Sequence, residues 1–174
     1  MSLEKELVKI YKRIEDEKRL GDKRAEQFYN LIFGGQLKFP ATQNPSADPN
    51  TLDDYEEGTW TPIDASGAGL NLVIDGQSIY TKIGNMVWAS CRIVFPTTAD
   101  GSAIHIGGLP FTVANNLGNC GGGMVTLCYV TTAVTVYPVQ NSVGIYFYKL
   151  GGARYTNAEF SEKLIIFSVQ YQVA

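Results

Sequence analysis

Hydrophobic residues follow two rhythms along this chain. Over residues 1–33 the period is helical: Leu3, Leu7, Ile10 and Ile14 are spaced four, three and four apart, the seam of a heptad. The same frame then places Glu17, Gly21 and Arg24 on the seam, followed by Phe28 and Leu31, so the apolar stripe holds, breaks and resumes. A glycine inside a helix costs about 1 kcal/mol relative to alanine, so the pattern predicts a break at Gly21, with Asp22 capping a second helix. After residue 52 the period is two. Val87, Ala89, Cys91, Ile93 and Phe95 alternate with Met86, Trp88, Ser90, Arg92 and Val94, and Ile165, Phe167, Val169, Tyr171 and Val173 alternate with Ile166, Ser168, Gln170 and Gln172. Two shorter runs do the same: Val125, Leu127 and Tyr129 against Thr126, Cys128 and Val130, and Val143, Ile145 and Phe147 against Gly144, Tyr146 and Tyr148. Turn signals such as Asp75-Gly76, Gly84-Asn85, Gly121-Gly122-Gly123 and Gly151-Gly152 separate them. The expected fold is mostly β: an N-terminal coiled-coil-like helix, then an antiparallel β-sandwich or jelly-roll knob.

Composition sharpens the division. Residues 1–33 carry 8 Lys/Arg and 7 Asp/Glu, whereas 17 of the 18 glycines, all 7 prolines and 16 of the 20 aromatics lie beyond them. Between Gly34-Gly35 and residue 51, Pro40, Pro45 and Pro49 push their preceding residues out of helical conformation. The expected organisation is therefore a helical oligomerisation or anchoring segment over 1–33, an extended linker over 34–51 and a knob over 52–174. A helix with one narrow apolar stripe is marginal alone in water and needs cover. That cover is another copy, a larger assembly or the chain's own β domain. Leu3, Leu7, Ile10, Ile14, Phe28 and Leu31 are the candidate oligomerisation residues.

A net charge of −3 argues against a nucleic-acid partner, which calls for a basic surface. No apolar run reaches the ~18–20 residues of a membrane span, and Met1–Lys5 lacks the apolar core of a secretory signal. Cys91, Cys120 and Cys128 have no metal-like spacing and are odd in number, so free thiols are expected. His105 is the single histidine, and no nucleophile elbow or phosphate loop accompanies it. The acidic run Asp53-Asp54-Tyr55-Glu56-Glu57 lacks the ligand spacing of a calcium loop and reads as solvated, or as a partner for basic groups. No catalytic residue, metal or cofactor is expected.

The remaining candidates are aromatic. Tyr137, Tyr146, Tyr148 and Tyr155, with Arg154, sit in or beside loops of the C-terminal third. Tyrosine and arginine bind sugars and proteins by stacking and hydrogen bonding at low entropic cost. Cross-strand pairing or a subunit interface would use the same residues. Tyr137, Arg154 and Tyr155 are the candidate receptor-binding residues, because flexible small residues surround aromatic and Arg anchors there.

Three stretches carry a resemblance. Leu52-Asp53-Asp54-Tyr55-Glu56-Glu57-Gly58-Thr59-Trp60-Thr61-Pro62 is similar to a signature opening many C-terminal domains of tailed-bacteriophage fibre and receptor-binding proteins. Tyr80-Thr81-Lys82-Ile83-Gly84-Asn85-Met86-Val87 resembles the strand that follows it there, and Gly108-Leu109-Pro110-Phe111 the third recurring element. Phe39–Pro45 resembles the family's lead-in, and Ile165–Tyr171, more loosely, its closing strand. The resemblance implies a virion structural protein made in the host cytoplasm, a homotrimer whose β knob contacts a host-surface glycan or protein. The N-terminal helix would contact other virion proteins. The family's long shaft is missing from this chain, so a capsid decoration or head-fibre protein is the alternative. A capsule depolymerase would need a far longer chain.

Overall fold

The computed structural model describes residues 3–19, 39–44, 46–48, 50–116 and 121–173. The chain divides into two compact units, Met1–Asn44 and Pro45–Ala174.

In the first unit, α1 spans Leu3–Arg19. Its sequence is built from strong helix formers with no Gly or Pro. Lys9 pairs with Glu6 at 3.1 Å one turn away. Along the predicted seam Ile14 is buried, while Leu7 and Ile10 stay 47% and 41% exposed, with Val8 and Tyr11 also exposed. Phe28, Leu31 and the break at Gly21 lie outside the described residues, as does much of the linker.

The second unit is antiparallel throughout. Its strands are β1 (Tyr55–Thr59), β2 (Ile63–Asp64), β3 (Val73–Ile74), β4 (Ile79–Ile83), β5 (Met86–Val94), β6 (His105–Gly107), β7 (Gly122–Cys128), β8 (Val134–Pro138), β9 (Ile145–Lys149) and β10 (Leu164–Gln172). They form one ten-stranded sheet in the order β1-β4-β5-β10-β7-β8-β9-β6-β2, with β3 added on β5.

That order explains the shape. β1 and β2 stand at opposite ends of the path, yet only Trp60-Thr61-Pro62 separates them. Four residue steps reach at most about 14 Å. Eight strand spacings laid flat would need about 38 Å. The sheet must therefore curl until its two edges nearly meet. The expectation of a mostly β, antiparallel unit after an N-terminal helix holds, while its finer form does not follow: the unit is one strongly curled half-barrel sheet, not clearly a sandwich.

The core fills the curl. Val87, Ala89, Cys91, Ile93 and Phe95 face Ile165, Phe167, Val169 and Tyr171, as the alternation predicts, joined by Trp60, Ile104, Ile106, Val136, Ile145, Phe147, Tyr155 and Phe160. β7 departs from its expected faces. A bulge shifts its register against β10 between Ile166 and Phe167. Val125, Cys128 and Val130 consequently pack on the core, while Met124, Leu127 and Tyr129 are exposed. One extra residue reverses every side chain beyond it.

Among the described residues, no helix is long and apolar enough to cross a membrane.

Candidate functional site

The three stretches that carry the fibre resemblance pack against one another. β1 pairs with β4 in a register that sets Glu56 opposite Lys82 and Gly58 opposite Tyr80. Gly58 has no side chain because the Tyr80 ring lies on it: a Cβ there would sit 2.6 Å from the Tyr80 hydroxyl. That hydroxyl donates to Glu56. The bond, then burial and the Glu56 charge, push the phenol from 10.0 up to about 12. Lys82 and Asp54 form a buried ion pair. The Phe111 ring meets Tyr80 edge-on at 5.5 Å and lies 5.5 Å from the Lys82 ammonium. Gly108, at φ 86°, would drive a Cβ to 2.1 Å from the Thr61 carbonyl oxygen. The acidic run is thereby accounted for. Asp53 accepts from the Ser46 amide, Asp54 holds Lys82, Glu56 accepts from Tyr80, and Glu57 accepts from Tyr55.

Other polar groups also serve the fold. Asp64 accepts from the Ser66 hydroxyl and the amides of Ser66 and Leu70. Burial pushes its carboxyl up, but these donors outweigh burial and hold it below the usual value. Buried Asn157 ties that loop to another by donating to Ser66 and Asp100 at 2.9 Å each. Burial pushes the Cys91 thiol up, and Cys91 and Cys128 are free; Cys120 lies outside the described residues. Among the described residues no group of three or more His, Cys, Asp or Glu is placed to hold a metal ion. A hollow of about 330 Å³ beside Tyr129 and Lys163 has its Lys149 ion-paired with Glu159, and this lysine holds the Glu159 carboxyl below its usual value.

The surface that stands out is aromatic and lies on the outer face of β6, β9 and β8. β9 turns Ile145 and Phe147 inward, so Tyr146 and Tyr148 point out; β8 turns Val136 and Pro138 inward, so Tyr137 points out. Tyr137 and His105 lie opposite Tyr146 on its two sides. His105 stacks on Tyr146 at 4.4 Å, and Tyr148 meets Tyr137 and Tyr146 edge-on at 5.8 and 6.5 Å. Arg154, bridged to Tyr148 through the backbone, lays its guanidinium 3.8 Å above the Tyr146 ring and donates from Nε to the Tyr148 hydroxyl at 3.1 Å. The result is a preformed strip of tyrosines around one fixed cation, a geometry suited to stacking and to holding an acidic or hydroxyl-rich surface.

Of the three candidate receptor residues, the structure brings Tyr137 and Arg154 together through Tyr148. It sends Tyr155 to the other side. Alternation forces neighbours in an extended segment onto opposite faces. Tyr155 is 2% exposed, packed edge-on against Phe160 at 5.2 Å, with its hydroxyl donating to the Thr132 carbonyl at 3.0 Å. It is therefore a core residue. His105 was readable only as a structural histidine, although its flanking Ile104 and Ile106, both buried, already imply that it faces outward. No known protein family, characterised protein or solved structure matches this chain.

Proposed function

We propose that this chain is a structural protein of a tailed-phage virion. In this reading it is a short tail fibre or receptor-binding head that attaches to the host surface as a homotrimer, with α1 as its anchor to other virion proteins. It acts by binding rather than by catalysis. The observation that carries attachment is the Arg154–tyrosine strip. It is outward-facing, tied together by the Arg154–Tyr148 hydrogen bond and by ring contacts, and made of the residue types that dominate binding energy at protein and glycan contacts. The virion context rests on the fibre-like stretches, and their mutual packing supports treating them as one motif: Gly58 serves Tyr80, Lys82 serves Asp54, and Phe111 covers both Tyr80 and Lys82. The exposed Leu7 and Ile10 of α1 suit a helix that is covered only on assembly.

The test is binding of full-length protein to host cells. Arg154→Ala and Tyr137→Ala should each weaken it by roughly tenfold or more, because three copies on one stalk multiply a small loss per site. Circular dichroism should be unchanged, since both side chains lie outside the core. Undiminished binding by both folded variants would remove the strip as the contact.

A further inference from the structure

The charges of the β unit leave one arginine out. Of the five Lys/Arg in Pro45–Ala174, Lys82 pairs with Asp54, Arg92 with Asp75 and Lys149 with Glu159. Among the described residues no carboxylate pairs with Arg154 or Lys163, and of these two it is Arg154 that neighbouring side chains hold in place. The strands beneath it, β6, β8 and β9, contain no Asp or Glu. Beyond residue 100 the acids are Glu159 and Glu162, and both are engaged elsewhere: Glu159 accepts from Lys149 and from the Thr156 amide, Glu162 from the Thr97 hydroxyl. The guanidinium is held flat on Tyr146. It lies 3.8 Å from the centre of that ring, and His105 stacks 4.4 Å from the same centre. Two planar groups this close to one ring cannot share a face, so Tyr146 stands between them. His105 is fixed in turn, because Nδ1 donates to the Ala65 carbonyl at 3.1 Å and Gly144 makes room for the imidazole: a Cβ there would lie 2.2 Å from Nε2. With Nε given to the Tyr148 hydroxyl, Arg154 keeps the donors of its terminal nitrogens, a planar fork that matches a pair of anionic oxygens. Around it the outward residues of β8 and β9, Thr135, Tyr137, Tyr146 and Tyr148, all end in a hydroxyl.

We propose that the ligand of the tyrosine strip is an anionic sugar, whose carboxylate or phosphate takes the Arg154 fork while its hydroxyls meet those of the tyrosines. This rests on the attachment reading and names the chemistry of what is bound. A chain of net charge −3 repels an anion over much of its surface, so an acid-free patch around a clamped cation is where an anion gains most. An acidic peptide would also meet the fork, but peptides commonly add to an unpaired strand edge. Here β9 is paired on one side by β8 and on the other by β6 and the Tyr148–Arg154 bridge, so it has no such edge to give. A surface of hydroxyls and aromatic rings suits instead a ligand that is hydroxylated throughout.

The experiment measures inhibition of host-cell binding by the full chain, using tri-galacturonate against its neutral methyl ester, glucose 6-phosphate against glucose, and triglutamate. At least one anionic sugar should inhibit at roughly tenfold lower concentration than its neutral counterpart, and the arm that does so tells carboxylate from phosphate. Arg154→Lys, which keeps the charge and loses the fork, should narrow that gap; an unchanged gap overturns Arg154 as the group that reads the anion. Acid and ester inhibiting alike, and phosphate no better than glucose, while Arg154→Ala still weakens cell binding, overturns the anionic ligand and leaves attachment standing. Triglutamate inhibiting as well as the sugars overturns the sugar. Wild type that binds no cells overturns attachment. Saturation-transfer NMR of tri-galacturonate and glucose 6-phosphate with the protein then decides the ligand alone: transfer that Arg154→Lys reduces supports the proposal, and no transfer to either overturns it.

Discussion

Replacing Lys82 with Met is expected to destabilise the β unit by about 3–5 kcal/mol, among the largest losses any single change should cause. Lys82 and Asp54 are both buried, 3% and 7% exposed, and each is the other's charge partner. Removing the lysine strands a carboxylate away from water at the junction of β1 and β4. The cost is that of the uncompensated charge rather than the worth of the pair. The double variant Asp54→Leu/Lys82→Met should therefore recover most of the loss, because two apolar groups can replace a buried pair at little cost. Urea midpoints of the two variants check this. A single variant within about 1 kcal/mol of wild type would mean that the pair is more hydrated than its burial indicates.

Phe147→Ala is expected to cost about 3–5 kcal/mol, lowering the melting temperature by about 10 °C. Phe147 is fully buried, meets Phe167 edge-on at 5.2 Å and lies on Phe160 at 6.1 Å. Few positions in the core could leave a larger cavity. Phe147 also sits between Tyr146 and Tyr148, so its inward anchor fixes where those two rings stand. Phe147→Leu should keep more of both stability and cell binding. Equal melting temperatures for Phe147→Ala and wild type would show that the curl can collapse around the void.

These two residues show what the sequence disclosed and what it hid. Phe147 was legible: period-two alternation identifies an inward face from local order alone, and β5 and β10 follow it from end to end. The Asp54–Lys82 pair was not, because the two lie 28 residues apart and meet only through the β1–β4 register. The same limit explains the curled sheet. Alternation tells which side a residue faces but not which strand lies beside it, so a sandwich and a half-barrel read alike. It took β1 and β2 at opposite edges, joined by three residues, to distinguish them.

For the candidate site, the residue types were legible and their sides less so. Tyr137, Tyr146, Tyr148 and Arg154 gather on one outer face, while Tyr155 drops into the core one residue beyond Arg154. Trp88 shows the same rule from the other direction. Although it is as large as buried Trp60, it stands outside, where the alternation of β5 places it. In both cases strand parity outweighs residue type.

The attachment account is tested most directly by electron microscopy of virions labelled with antibody against this protein. The account expects label confined to the end of the tail, and adsorption to host cells blocked by the same antibody. Label over the capsid, or particles that bind no antibody, would contradict it.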